Sequence, residues 1–180
     1  MVYLFMADGF EEVEGLTVVD LVRRAGIELK TVSVMGRIEV TGAHGIEVKA
    51  DCLFEDMKEP AEMLILPGGV PGTPNLKAHK GLQQLICKSA EQGIYLAAIC
   101  AAPTVYGELG LLKGKKATCY PGLENGLLGA EVVYDNVAAD GNFITSRGVG
   151  TAIDFSLKLV ELLKNKAEAD KIAKAIVYQA

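Results

Sequence analysis

Ionised cysteine is a strong nucleophile, and Cys100 occupies a position where ionisation would be useful. It ends the small-residue run Leu96-Ala-Ala-Ile-Cys-Ala-Ala-Pro-Thr-Val-Tyr106, between a buried-strand pattern and a helix start marked by Pro103. Taken alone, Cys100 reads as a small hydrophobe filling core space, since free cysteine is among the most buried residue types. At a strand-to-helix turn it would instead sit near the positive end of a helix dipole, which lowers a thiol pKa. Ala101 and Ala102 leave room for a substrate. The N–H of Ala101, paired with one from Gly68-Gly69, would cradle a developing oxyanion. The Pro67-Gly68-Gly69 sequence by itself is no more than a turn.

A thiol nucleophile also needs a proton acceptor, usually histidine. His44 and His79 stand in no partner motif, so the carboxylates of Gly9-Phe-Glu-Glu-Val-Glu-Gly15 are the candidates. Glu11 and Glu12 read as acids complementing a helix amino terminus. Glu14, followed by Gly15, which permits close approach of another backbone, can point back over the strand ends, where desolvation would raise its pKa. The four cysteines, Cys52, Cys87, Cys100 and Cys119, form no CxxC pair, and two histidines build no zinc spacing. If the strand before Tyr120 ends at the same rim, Cys119 would serve as a resolving thiol, provided its Cα lies within about 7 Å of that of Cys100. Ser146-Arg-Gly-Val-Gly-Thr151 resembles half a dinucleotide fingerprint but carries Ile153 at the third glycine position. The preferred reading there is a glycine turn with Arg147 in a structural ion pair, and no cofactor is expected.

The elements that must position these residues alternate. Val2–Ala7 reads as a first strand and Glu11–Ala25 as a helix, with Val18, Leu21, Val22 and Ala25 on one face and Gly26 as its stop. Ile27–Met35 is a second strand, Gly36–Phe54 a small β excursion, and Ala61–Leu66 a buried strand. Gly81–Gln92 then reads as a helix, Ile94–Ile99 as the central strand and Ala101–Leu109 as the next helix. Lys116–Cys119 and Asn142–Ser146 are strand-like, and Val149–Leu163 and Ala167–Tyr178 are helical. Such alternation predicts one α/β domain over residues 1–180. Its fold is flavodoxin-like: a doubly wound, mostly parallel sheet with helices on both faces, and a site outside the carboxyl ends of the strands.

Glu11-Glu-Val-Glu14, Arg23-Arg-Ala-Gly26, Leu66-Pro-Gly-Gly69, Ala97-Ala-Ile-Cys-Ala-Ala-Pro-Thr104 and Thr145-Ser-Arg-Gly148 together resemble the ThiJ/PfpI superfamily, specifically its parkinsonism-associated deglycase branch. The resemblance implies a reactive Cys100 on a strained elbow, a protonated Glu14 beside it, and oxyanion amides at Gly69 and Ala101. It also implies a homodimer with the first helix near the interface. The activities it implies are glutathione-independent glyoxalase chemistry, repair of early glycation adducts, and oxidation of the cysteine to a sulfinic acid. Three departures bear on these expectations. Tyr120 stands where the branch often has a rim histidine, and is a poor base near neutral pH. His44 stands where some members reach the site across the dimer with an arginine. Ala101 replaces the histidine of the protease-like branch, which disfavours peptide hydrolysis.

Composition narrows the alternatives. With a net charge of −5 and its 18 basic residues dispersed among 23 acidic ones, the chain has no basic stripe for nucleic acid. No apolar run approaches the roughly 20 residues of a membrane span. The amino terminus reads directly as a strand, with no signal-peptide pattern, so free thiols and a cytoplasmic location are expected. The expected function is a cofactor-independent stress-protection enzyme acting on small reactive dicarbonyls. The alternative is a redox sensor or stress chaperone whose Cys100 is oxidised without turnover.

Overall fold

The computed structural model describes residues 1–179. The chain runs β1 (Val2–Met6), α1 (Glu12–Arg24), β2 (Leu29–Ser33), β3 (Glu39–Thr41), β4 (Glu47–Lys49), β5 (Cys52–Leu53) and β6 (Met63–Leu66). It continues through α2 (Gly72–Ala78), α3 (Lys80–Glu91), β7 (Tyr95–Ile99), α4 (Pro103–Glu108), β8 (Lys116–Ala117) and β9 (Glu131–Val132). The last elements are β10 (Val137–Asp140), β11 (Phe143–Ser146), α5 (Ala152–Leu163) and α6 (Lys166–Ala175).

Seven strands make the main sheet in the order β10-β11-β7-β6-β1-β2-β5. All its pairings are parallel except β10 with β11. Alternation along a strand sends successive side chains to opposite faces, and β1 shows the result. Val2, Leu4 and Met6 join one core layer, with Val18, Leu21 and Val22 of α1 and Phe155, Leu159 and Val160 of α5. Tyr3, Phe5 and Ala7 join the other, with Leu76 of α2, Leu82 and Ile86 of α3 and Val105 and Tyr106 of α4. Because β1 pairs with β2 on one side and β6 on the other, the chain reverses its winding at β1, and the loops after β1 and β6 are joined there by hydrogen bonds from the Glu11 N–H to the Gly68 carbonyl at 2.9 Å and from the Gly72 N–H to the Gly9 carbonyl at 3.1 Å. The doubly wound α/β reading of the sequence therefore holds.

Several boundaries differ for identifiable reasons. The Gly36–Phe54 excursion is the β3–β4 hairpin, after which β5 pairs with β2 at the main sheet's edge. α2 has no helical signature in the sequence because Pro71, Gly72 and Pro74 look like loop punctuation. Yet Gly72 opens this helix, and the missing N–H of Pro74 falls within its first turn, where no intrahelical partner exists. β10 lies in Val-Ala-Ala-Asp, which has little strand propensity; its four backbone pairings with β11 create it. The strand-like Lys116–Cys119 contracts to β8 and pairs with β9 outside the main sheet. Ala101 and Ala102 form a turn, so α4 begins at Pro103. No helix among the described residues is long and apolar enough to cross a membrane.

Candidate active site

β7 ends at Ile99, and Cys100 takes φ of 66°, a left-handed conformation that costs a residue with a Cβ about 1–2 kcal/mol. Neighbouring backbone holds it there: the Cys100 N–H donates to the Ser146 carbonyl at 3.0 Å, and its carbonyl accepts from the Tyr120 N–H at 2.8 Å. The elbow aims the thiol into a cleft of about 620 Å³ whose walls include Glu11, Glu14, Tyr120, Asn136, Arg147 and Gly148.

Glu14 comes from the first turn of α1 and is fully buried. Its Oε2 accepts from the Gly68 N–H at 2.9 Å, while its Oε1 has no hydrogen-bond partner among the described residues. Gly68 is required by space. A Cβ there would stand 2.6 Å from the Cys100 Cβ and 2.7 Å from Glu14 Oε2, so only hydrogen lets carboxyl, loop and elbow meet. Gly69 adopts φ of 96°, and its backbone amide and that of Ala101 favour the ionised form of the Cys100 sulfur. Gly15 serves a different approach from the one expected, receiving the Phe10 ring rather than another backbone.

Proton affinity in this pair is shared. Burial pushes the Glu14 carboxyl up to about 7, against hydrogen bonds from Cys100 and the Gly68 amide. Burial, then the Glu14 charge and hydrogen bond, push the Cys100 thiol up to about 12, against the Ala101 and Gly69 amides. The expected dipole-lowered thiol is thus corrected: α4 has only 6 residues, and burial beside a carboxylate outweighs its end. Two of the three causes that raise the thiol vanish when Glu14 is protonated. Thiolate and neutral Glu14 therefore form together, and one proton titrates over both groups.

The rim departs further from the sequence reading. Tyr120 does line the cleft, half-exposed. Cys119 does not: it is buried in the core layer of α3 and α4, whereas Cys100 packs against the opposite layer. Its expected role as a resolving thiol is therefore dropped. His44 sits on the β3–β4 loop, with its Nδ1 2.9 Å from Glu12 and 3.6 Å from Glu11 of the same chain. Glu12 is more than a dipole acid: buried, it accepts the N–H groups of His44 at 2.8 Å and Ile46 at 3.4 Å, anchoring that loop onto α1. Glu11, Glu12 and His44 have the donor types of a metal site, but both Glu12 oxygens are already occupied by this network. Arg147 forms no ion pair within 4.0 Å among the described residues, against the structural pairing expected for it; it meets the Tyr134 carbonyl and ring instead. Burial hid Glu12 from sequence reasoning, whereas Arg147 carried a signal in its place beside glycines at a strand end.

Fold and site together define a class: a doubly wound α/β protein with a cysteine elbow and a buried carboxyl partner at the carboxyl ends of the sheet strands. The model described as "DJ-1/PfpI family" matches residues 1–162, and the chain belongs to that family. It is 39% identical over 175 residues to "Protein DJ-1 homolog B" of Arabidopsis thaliana; the match covers 96% of this chain and 40% of that protein, so the chain spans less than half of that relative's length. It is 30% identical over 166 residues to a protein of Pyrococcus abyssi named a deglycase, covering 91% of this chain and 99% of the other. The solved structure titled "Toxoplasma gondii DJ-1, oxidized" superposes with a TM-score of 0.96 at 35% identity, covering 99% of this chain and 98% of that one.

Proposed function

We propose that this protein is a cysteine-dependent, cofactor-independent stress-protection enzyme acting on small reactive dicarbonyls, as a glyoxalase, a deglycase or both. One observation carries the reading: a strained Cys100, whose ionised form the Gly69 and Ala101 amides favour, lies beside a buried carboxyl whose Oε1 has no hydrogen-bond partner among the described residues. In the reaction, the Cys100 proton passes to Glu14 and the thiolate adds to the aldehyde carbon of methylglyoxal, forming a hemithioacetal. The Gly69 and Ala101 amides would then hold the oxyanion. Glu14 then moves a proton between the two carbons through an enediol, giving a thioester that water hydrolyses to lactate and free thiol. A carboxyl with a pKa near 7 suits both accepting and returning that proton. The same thiolate and acid would release a sugar-derived carbonyl from an amine, as a deglycase, and a deglycase is what the Pyrococcus relative is named. The protein would work in the cytoplasm as a homodimer with the first helix, on which Val13 is exposed, near the interface.

A second reading, a sensor or stress chaperone in which peroxide oxidises Cys100 to a sulfinate, is favoured by the oxidised state named for the Toxoplasma relative. Steady-state assays of methylglyoxal conversion to lactate on wild type, Cys100→Ser and Glu14→Gln separate the two. The enzymatic reading expects turnover lost in both variants. Wild-type turnover no greater than the Cys100→Ser background, with selective peroxide modification of Cys100, would leave the sensor.

A further inference from the structure

The cleft contains a cation that the reaction just described does not use. Arg147 follows the last residue of β11, and the register pairs Ser146 with Ile99 on β7, so Arg147 stands beside Cys100 at adjacent strand ends. Both residues line the same cleft. A hydroxyl network fixes the Arg147 backbone: Thr151 Oγ1 accepts the N–H groups of Arg147 at 3.2 Å and Gly148 at 3.1 Å and lies 2.7 Å from Ser146 Oγ. Its guanidinium rests 5.7 Å from the Tyr134 ring centroid and donates from Nη1 to the Tyr134 carbonyl at 3.2 Å. No carboxylate lies within 4.0 Å of it among the described residues, although Glu11 and Glu14 share the cleft. Glu11 has His44 as its neighbour, and Glu14 is largely neutral below about pH 7. The cation is thus preset and uncompensated, and a guanidinium fork is shaped for carboxylate or phosphate oxygens. The cleft volume of about 620 Å³ is also within the range that ligands much larger than a three-carbon dicarbonyl occupy.

We propose that Arg147 anchors an anionic group of the substrate, so that the site selects carbonyl compounds bearing a carboxylate or phosphate near the carbon attacked by Cys100. The proposal rests on the cysteine-dependent reading of the site, and its test needs no turnover. Iodoacetate and iodoacetamide alkylate a thiolate by the same step: sulfur bonds to the methylene carbon and iodide leaves. Only iodoacetate carries a carboxylate beside that carbon. The measurement is the second-order rate constant for Cys100 labelling by each reagent, followed by intact mass, in wild type, Arg147→Gln and Arg147→Lys.

The expected ratio of iodoacetate to iodoacetamide rates is about tenfold higher in wild type than in Arg147→Gln, the size of one charge-assisted hydrogen bond. Arg147→Lys, which keeps the charge, falls between them. In wild type, acetate or inorganic phosphate slows iodoacetate labelling of Cys100, and the stronger protector identifies the anionic group preferred. A ratio unchanged by Arg147→Gln, with both rates moving together, would mean that Arg147 only props the loop and would overturn the proposal. Protection by neither anion would overturn it as well. Failure of the enzymatic reading is recognisable separately, as absent methylglyoxal turnover with the reagent ratio intact.

Discussion

Replacing Glu14 with Gln tests the proton arrangement through stability as well as activity. In the folded protein burial holds this carboxyl at about 7 rather than 4.5, which at about 1.4 kcal/mol per pKa unit amounts to roughly 3 kcal/mol against the ionised form. The sign follows from linkage. Below pH 4.5 folded and unfolded chains are both protonated and nothing is lost. Between 4.5 and 7 the unfolded chain releases its proton while the folded one keeps it, so stability falls as pH rises, and above 7 the loss is complete. Gln keeps the shape, can accept the Gly68 N–H through its carbonyl and never ionises. Glu14→Gln should therefore gain up to roughly 3 kcal/mol over wild type at pH 8 relative to pH 4.5, or about 6–12 °C in Tm for a chain of this size. The step near 7 belongs to the Glu14–Cys100 pair, and its second proton, held up to about 12, does not leave in that window. Urea denaturation of both proteins from pH 4.5 to 8 measures the difference. Parallel stability curves would refute the claim that Glu14 carries a buried, displaced titration.

Two further substitutions probe the geometry. Gly68→Ala would push a methyl against the Cys100 Cβ and Glu14 Oε2, so the expectation is a loss of about 1–3 kcal/mol from overpacking together with loss of methylglyoxal turnover, read by denaturation and steady-state assay; wild-type activity would show that the close approach is dispensable. Cys119→Ser should leave the Cys100 alkylation rate within about twofold of wild type, because a substitution outside shared contacts adds independently, and mass spectrometry after mild peroxide should find no bond between residues 100 and 119 in wild type.

The sheet was legible because periodicity reports burial. A β1 that is apolar at every position must be covered on both faces, and α1 with its one-faced pattern is a cover. Cys100 was legible as a nucleophile by position, between a strand and Pro103. Its proton affinity was not, because the sequence shows the helix start but neither how short α4 is nor how completely Glu14 is buried. Glu12 and Arg147 were misread for one reason: a charged residue in a sequence does not reveal its partners. Glu12 found backbone amides thirty-two and thirty-four residues away, and Arg147 found a carbonyl and a ring where a carboxylate had been expected.

Turnover and oxidation ask different things of the same carboxyl. Addition to an aldehyde requires a base that takes the thiol proton and later returns it to carbon, which a group titrating near 7 does at neutral pH. Oxidation by two equivalents of peroxide requires a thiolate, and its sulfinate product then needs a hydrogen-bond donor; neutral Glu14 can supply one, and so can the amide N–H of Gln. Glu14→Gln therefore separates the two activities in one protein. It removes the charge and the hydrogen bond by which Glu14 raises the thiol, so Cys100 should ionise at lower pH and remain open to peroxide, while the amide cannot carry protons and dicarbonyl turnover should fall to the Cys100→Ser level. Turnover retained by Glu14→Gln would mean that the proton passes through another group. Peroxide reactivity lost along with turnover would mean that the thiolate itself depends on Glu14 taking its proton.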